Sequence, residues 1–134
     1  MDRDRVAALR FFAGVPAEEL DAIARVASER EFATGDVLTT EREFGHCLFL
    51  VEAGSADVSI NGSQVGVVGP GDVVGEVAVL ASGRRTASVV ATSPMRVVAL
   101  FKRDVWALER GAPEAARRLR TAIDQHTQQS SSAQ

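Results

Sequence analysis

The sequence predicts a mainly β domain of the sandwich, jelly-roll or small-barrel kind, with helices at both ends. Three observations carry that expectation. Between residues 30 and 101 short apolar runs recur between glycines: VLTT, CLFLVEAG, ADVSI, QVGVV, DVVGEVAVL, TASVVA and MRVVALF. Runs of that length, bounded by turn residues, read as strands. On either side the apolar residues return at three- and four-residue steps, the period of a helix. The 134 residues, 46% apolar and 25% charged, suit one globular domain with a core of its own.

Taken in order, the chain opens with AALRFF, a Gly14-Val15-Pro16 break, and AEELDAIARVA, where Leu20, Ile23, Ala24 and Ala27 share one helical face. Pro16 suits the first turn of that helix, and Glu18, Glu19 and Asp21 suit its positive end. In the β region Ala56, Val58 and Ile60 alternate with Asp57, Ser59 and Asn61, so this strand has one wet face. Asn61-Gly62 follows directly and predicts a hairpin, because both residues tolerate positive φ. After Phe101 a short helix, KRDVWALER, runs to Gly111. Pro113 starts a second, with Ala116, Leu119, Ile123 and His126 along one stripe. That stripe serves as packing, as a lid over a ligand, or as a homodimer seam. Residues 1–128 form the domain, and the polar tail 129–134 is expected to be disordered.

Composition excludes several classes. A net charge of −3 argues against a nucleic-acid partner, whose phosphates call for a concentrated basic surface. No apolar run approaches the ~18 residues of a membrane span, and MDRDRVAALR does not read as a signal peptide. The single Cys47 forms no internal disulfide, which suits a reducing cytoplasm and a small core residue. His46 and His126 are far apart, so neither a metal site nor metal-dependent catalysis is expected.

The stretch that carries chemistry is GPGDVVGEVAVLASGRRTASVVA, residues 69 to 91. Gly69, Gly71 and Gly75 permit close approach of backbone to a ligand. EVAVLAS is short and alanine-rich enough for a single helical turn, whose N-terminus after Gly75 would present free N–H groups to an anion. Arg85 lies nine residues beyond Glu76. A buried arginine clamps phosphate, and a nearby carboxylate accepts sugar hydroxyl hydrogens. No nucleophile or general base accompanies them. The chemistry is binding, not turnover.

Gly75-Glu76-Val77-Ala78-Val79 and Arg85-Thr86-Ala87 resemble the phosphate-binding cassette of the cyclic nucleotide-binding domain family, found in protein kinase A regulatory subunits, cyclic-nucleotide-gated channels and catabolite activator proteins. Gly35-Asp36 and Glu52-Ala53-Gly54 match the family's glycine positions. The resemblance implies an eight-stranded jelly-roll β-barrel with flanking N-terminal and C-terminal helices. It implies that Glu76 bonds the ribose 2′-hydroxyl and that Arg85 pairs with the cyclic phosphate. Backbone groups of Gly75, Val77, Ala78, Thr86 and Ala87 complete the cradle, and the Thr86 hydroxyl reaches phosphate or base. Val74, Arg42 and Arg84 depart from the commoner aromatic or isoleucine, glycine and proline, although the channel branch shares Arg84.

The function implied is a non-enzymatic sensor of cAMP, and of cGMP as well, whose C-terminal helices pass the signal to an effector protein or domain. The arginine-rich, lysine-poor composition suits a bacterial source, and the chain is expected to be a stand-alone domain, or else a regulatory piece of something larger. The alternative keeps the fold, pairs Glu76 with Arg85 structurally, and uses an empty-pocketed domain for protein–protein interaction. Away from the cassette, Arg84 is expected to face solvent, Arg117, Arg118 and Arg120 to form a solvated helix face, and Trp106 to pack between closing helix and barrel or cap a purine.

Overall fold

Helices lead into the β region, and the computed structural model describes residues 1–75 and 83–132, with side chains through Ala122. Helix α1 (Arg3–Ala7) begins at Asp2, whose carboxylate accepts from the Asp4 amide at 3.0 Å. A 3-10 turn (Arg10–Phe12) and Gly14, at φ +82°, redirect the chain into α2 (Ala17–Val26). Pro16 stands one residue before that helix, at ψ 147°, rather than inside its first turn. The α2 face of Leu20, Ile23 and Ala24 is buried, as its period predicts.

Eight strands follow: β1 (Ser28–Phe32), β2 (Val37–Thr39), β3 (Cys47–Ala53), β4 (Ala56–Ile60), β5 (Ser63–Val68), β6 (Val73–Val74), β7 (Ser88–Ala91) and β8 (Met95–Phe101). They form two antiparallel sheets, β1-β8-β3-β6 and β2-β7-β4-β5. This is the expected eight-stranded jelly roll, with one refinement: the two sheets lie face to face and do not close into a barrel. Strand β1, SEREF, has no apolar alternation and four exposed residues. Backbone pairing holds it, from Ser28 opposite Ala99 to Phe32 opposite Met95, so no side-chain pattern announces it.

Strands β3 and β8 explain how the layers hold together. Cys47, Phe49, Val51, Val97 and Ala99 point between the sheets, where they join Leu38, Val74 and Val89. Their neighbours Leu48, Leu50, Val98 and Leu100 point the other way, into a second cluster with Phe12, Ile23, Leu108 and Leu119 of the helices. Successive residues of a strand face opposite sides, so a strand buried on both reads as a continuous apolar run. The β4–β5 turn is the expected one, with Asn61 at φ +53° and Gly62 at φ +81°.

Strand β8 passes straight into α3 (Lys102–Gly111), and Ala112 alone separates α3 from α4 (Pro113–Ser132). On α3, Val105 and Leu108 face inward. Trp106 is next to Val105 on the helix and is therefore turned outward, 59% exposed, with the Lys102 ammonium 5.3 Å from its ring. It does not pack between helix and sheet as the sequence suggested. Helix α4 continues over residues 129 to 132, within the polar tail where composition predicts disorder; extending a formed helix is easier than starting one.

Candidate functional site

The end of β6 and the approach to β7 meet at Gly75 and Arg85. Gly75 adopts φ +86°, a left-handed conformation that side chains resist. A Cβ built on it would overlap Nη1 of Arg85 and stand 3.3 Å from the Cys47 carbonyl. The same Nη1 donates to the Gly75 carbonyl at 3.3 Å. Arg85 is 8% exposed. That carbonyl is its guanidinium's hydrogen-bond partner among the described residues. A guanidinium has five N–H donors in a planar fork and bonds most strongly to anionic oxygens. The arrangement suits a compact anion that brings several acceptor oxygens.

The backbone of Arg85 is fixed by the β2–β3 connection. Its amide donates to the Glu43 carbonyl at 2.7 Å, and its carbonyl accepts from the Arg42 amide at 2.9 Å. Gly45 donates to the Gly83 carbonyl at 3.0 Å, and Phe44 bridges Arg84. Further on, the Thr39 hydroxyl donates to the Ala87 carbonyl at 2.9 Å, and Ser88 Oγ accepts from the Glu41 amide at 3.0 Å.

Arg42 occupies φ +73°, unusual for a residue with a Cβ. Its guanidinium donates to Asn61 Oδ1 at 2.8 Å, while the Asn61 amide donates to Glu41 Oε1 at 2.9 Å. Thus the β4–β5 turn braces the loop that holds Arg85. Sequence reasoning registered Arg42 only as a departure from glycine; its positive φ is the reason glycine suits that position, and its bond to Asn61 compensates here.

Of the residues proposed from sequence, Gly75, Arg85, Thr86 and Ala87 converge on this corner, with Thr86 exposed and Ala87 half-buried. Glu76, Val77 and Ala78, and the expected helical turn EVAVLAS, lie outside the described residues. So do the side chains of Ile123 and His126. Arg84 is exposed as expected, and its guanidinium lies 4.2 Å from the Phe44 ring centroid while donating to the Arg42 carbonyl at 3.0 Å. On α4, Arg117 and Arg120 are exposed, but Arg118 is half-buried and donates to the Phe11 carbonyl at 3.1 Å. Cys47 is buried between the sheets. Among the described residues no three His, Cys, Asp or Glu gather to hold a metal, and no helix is long and apolar enough to cross a membrane.

The resolved shifts in protonation lie elsewhere, in surface ion pairs. The Arg5 guanidinium bonds Glu29 at 2.5 Å and Glu52 at 2.8 Å, which raises its own pKa and lowers that of Glu29. Hydrogen bonding by Arg117 likewise lowers Glu114.

Comparison with known proteins fits this geometry. A family model described as the cyclic nucleotide-binding domain matches residues 29–110. The cyclic AMP receptor protein of Thermus thermophilus is 31% identical over 113 residues, covering 81% of this chain and 52% of that protein. A cAMP-dependent protein kinase regulatory subunit of Hypocrea atroviridis is 38% identical over 84 residues, 63% of this chain and 18% of that one. The chain thus spans about half the length of the first relative and less than a fifth of the second. The crystal structure of the Thermus thermophilus catabolite activator protein superposes with a TM-score of 0.79 at 28% identity, over 91% of this chain and 60% of that one.

Proposed function

The chain belongs to the cyclic nucleotide-binding domain family, and from that premise we propose that it is a non-enzymatic cytoplasmic sensor of cAMP that also accepts cGMP. Residues 1–128 constitute the sensing domain. The observation that carries the reading is the buried Arg85 guanidinium set against Gly75, with one carbonyl partner among the described residues. A cyclic phosphate brings a negative charge and acceptor oxygens that match this cation.

Arg85 binds the exocyclic oxygens and neutralises them. Gly75 lets backbone approach where any Cβ would collide. Glu76 takes the ribose 2′-hydroxyl, and the backbone of Val77, Ala78, Thr86 and Ala87 completes the cradle. Binding energy is transmitted through the closing helices to an effector protein or domain. Support for this assignment comes from the Gly75–Arg85 geometry and from relatives named for cAMP.

Thermal melting tests it. A ligand at about a hundred times its dissociation constant adds ~2.7 kcal/mol to the native state. Saturating cAMP should therefore raise the melting temperature clearly, and AMP should do much less at the same concentration. Equal shifts from the two would contradict a site shaped for a cyclic phosphate.

A further inference from the structure

Helix α4 begins without a cap of its own. Ala112, the residue before it, has no side-chain oxygen, and Pro113 has no N–H. The next two amides, of Glu114 and Ala115, donate instead to Oε1 of Glu19, at 2.9 and 3.0 Å. Glu19 lies in the first turn of α2 and is 9% exposed. Among the described residues its side chain's partners are those two amides. A buried carboxylate needs strong donors, and the α4 N-terminus supplies both N–H groups and a favourable dipole.

A second tie reinforces the first. Arg118 of α4 donates to the Phe11 carbonyl at 3.1 Å, in the turn before α2. Gly14, whose φ of +82° favours glycine, lies beside that guanidinium, with a Cβ position 3.6 Å from Nη2, an ordinary van der Waals contact. Beside the two ties Ala115 and Leu119 are fully buried, in one cluster with Phe12, Leu20 and Ile23. The start of α4 is thus built into the N-terminal helices.

The geometry points to Glu19 as a latch, a positioning residue that ties α4 to α2, so that a nucleotide which displaces α4 carries the N-terminal helices with it. Opening the latch would strand a buried carboxylate. Breaking a buried charge interaction costs a factor on the order of 10²–10⁴ in population, whereas coupling between allosteric sites is typically only about 5- to 150-fold. Moving the helices together is therefore easier than pulling them apart. The ligand-dependent part of this inference rests on the proposed function; the latch does not.

Amide hydrogen exchange on the full chain, with and without cAMP, tests both parts. Without ligand, Glu19→Ala should speed exchange at Glu114 and Ala115 at least tenfold, while the amides of β3 and β8 keep their rates. With saturating cAMP, wild type should gain protection in residues 17–26 as well as in 114–122. Glu19→Ala should still gain it at Gly75 and in 83–87, but no longer in 17–26. A role in stability alone would lower protection everywhere without separating these segments. Unchanged exchange at Glu114 and Ala115 in Glu19→Ala, or ligand-dependent protection of 17–26 that survives the substitution, overturns the latch. If cAMP changes nothing in wild type, the binding reading fails and the ligand-free comparison still decides the latch. If Glu19→Ala does not fold, Glu19→Gln replaces it, keeping the shape and losing the charge. Exchange at the two amides should then rise about threefold, and no rise overturns the proposal.

Discussion

Nη1 of Arg85 hydrogen-bonds the carbonyl of Gly75 at 3.3 Å and fills the space where a side chain on residue 75 would stand. The positive φ of Gly75 and the position of Arg85 therefore depend on each other. The proposed binding draws on both, and each makes a separable prediction.

Gly75→Ala adds a Cβ in a left-handed conformation, which costs about 1–2 kcal/mol before any clash. The collision with Arg85 then pushes the guanidinium aside. Melting temperature should fall modestly and cAMP affinity should fall much more. A variant that binds like wild type would show that this corner is not the site.

Arg85→Ala should keep the fold, because the backbone at 85 is held by Glu43 and Arg42 rather than by the side chain. Its cAMP affinity should drop by about 2–5 kcal/mol, the usual cost of truncating one partner of a buried charge pair. Glu76→Ala should cost less, about 1–3 kcal/mol. Circular dichroism and nucleotide titration separate loss of fold from loss of binding.

Thr86 is exposed beside Arg85, and in the channel branch that the local sequence resembles, threonine here reaches a guanine amino group. One neutral hydrogen bond contributes ~0.5–1.5 kcal/mol. Thr86→Ala should weaken cGMP by up to about tenfold and leave cAMP nearly unchanged, as measured by competition against a fluorescent analogue. An equal loss for both nucleotides would assign the hydroxyl to the phosphate.

Acid should loosen the helix–sheet joint. Glu29 is held below the usual carboxylate value of 4.5, chiefly by its hydrogen bond from Arg5. A carboxyl depressed in the folded state stabilises above its unfolded pKa, and that contribution fades as pH falls through the folded one. Melting temperature should therefore decline as pH falls below the usual carboxylate value of 4.5, and Glu29→Gln should flatten the decline. A slope unaffected by the substitution would place the acid sensitivity elsewhere.

What the sequence made legible depended on what each residue type announces. The burial of Arg85 and the close backbone approach at Gly75 were readable because few other residue types suit such places, and Asn61-Gly62 because its φ angles are nearly demanded by a tight hairpin. Strand β1 was not, since SEREF is placed by backbone pairing to β8. Trp106 misled because size suggested burial, whereas the inward face of α3 belongs to Val105 and Leu108. Glu19 looked like an ordinary acidic residue at a helix start; its partners lie some 95 positions away, and local spacing carries no trace of them. Arg42 is similar, because the strain it bears and the Asn61 contact that offsets it appear only in three dimensions.

The central claim is that the Gly75–Arg85 corner takes a cyclic nucleotide. Isothermal titration of the purified chain with cAMP, cGMP and AMP tests it most directly, with Arg85→Ala as the matched control. The account predicts saturable one-to-one binding of both cyclic nucleotides, cAMP modestly tighter, AMP far weaker, and a large loss in the control. No heat from either cyclic nucleotide, or the same affinity in wild type and Arg85→Ala, would contradict it.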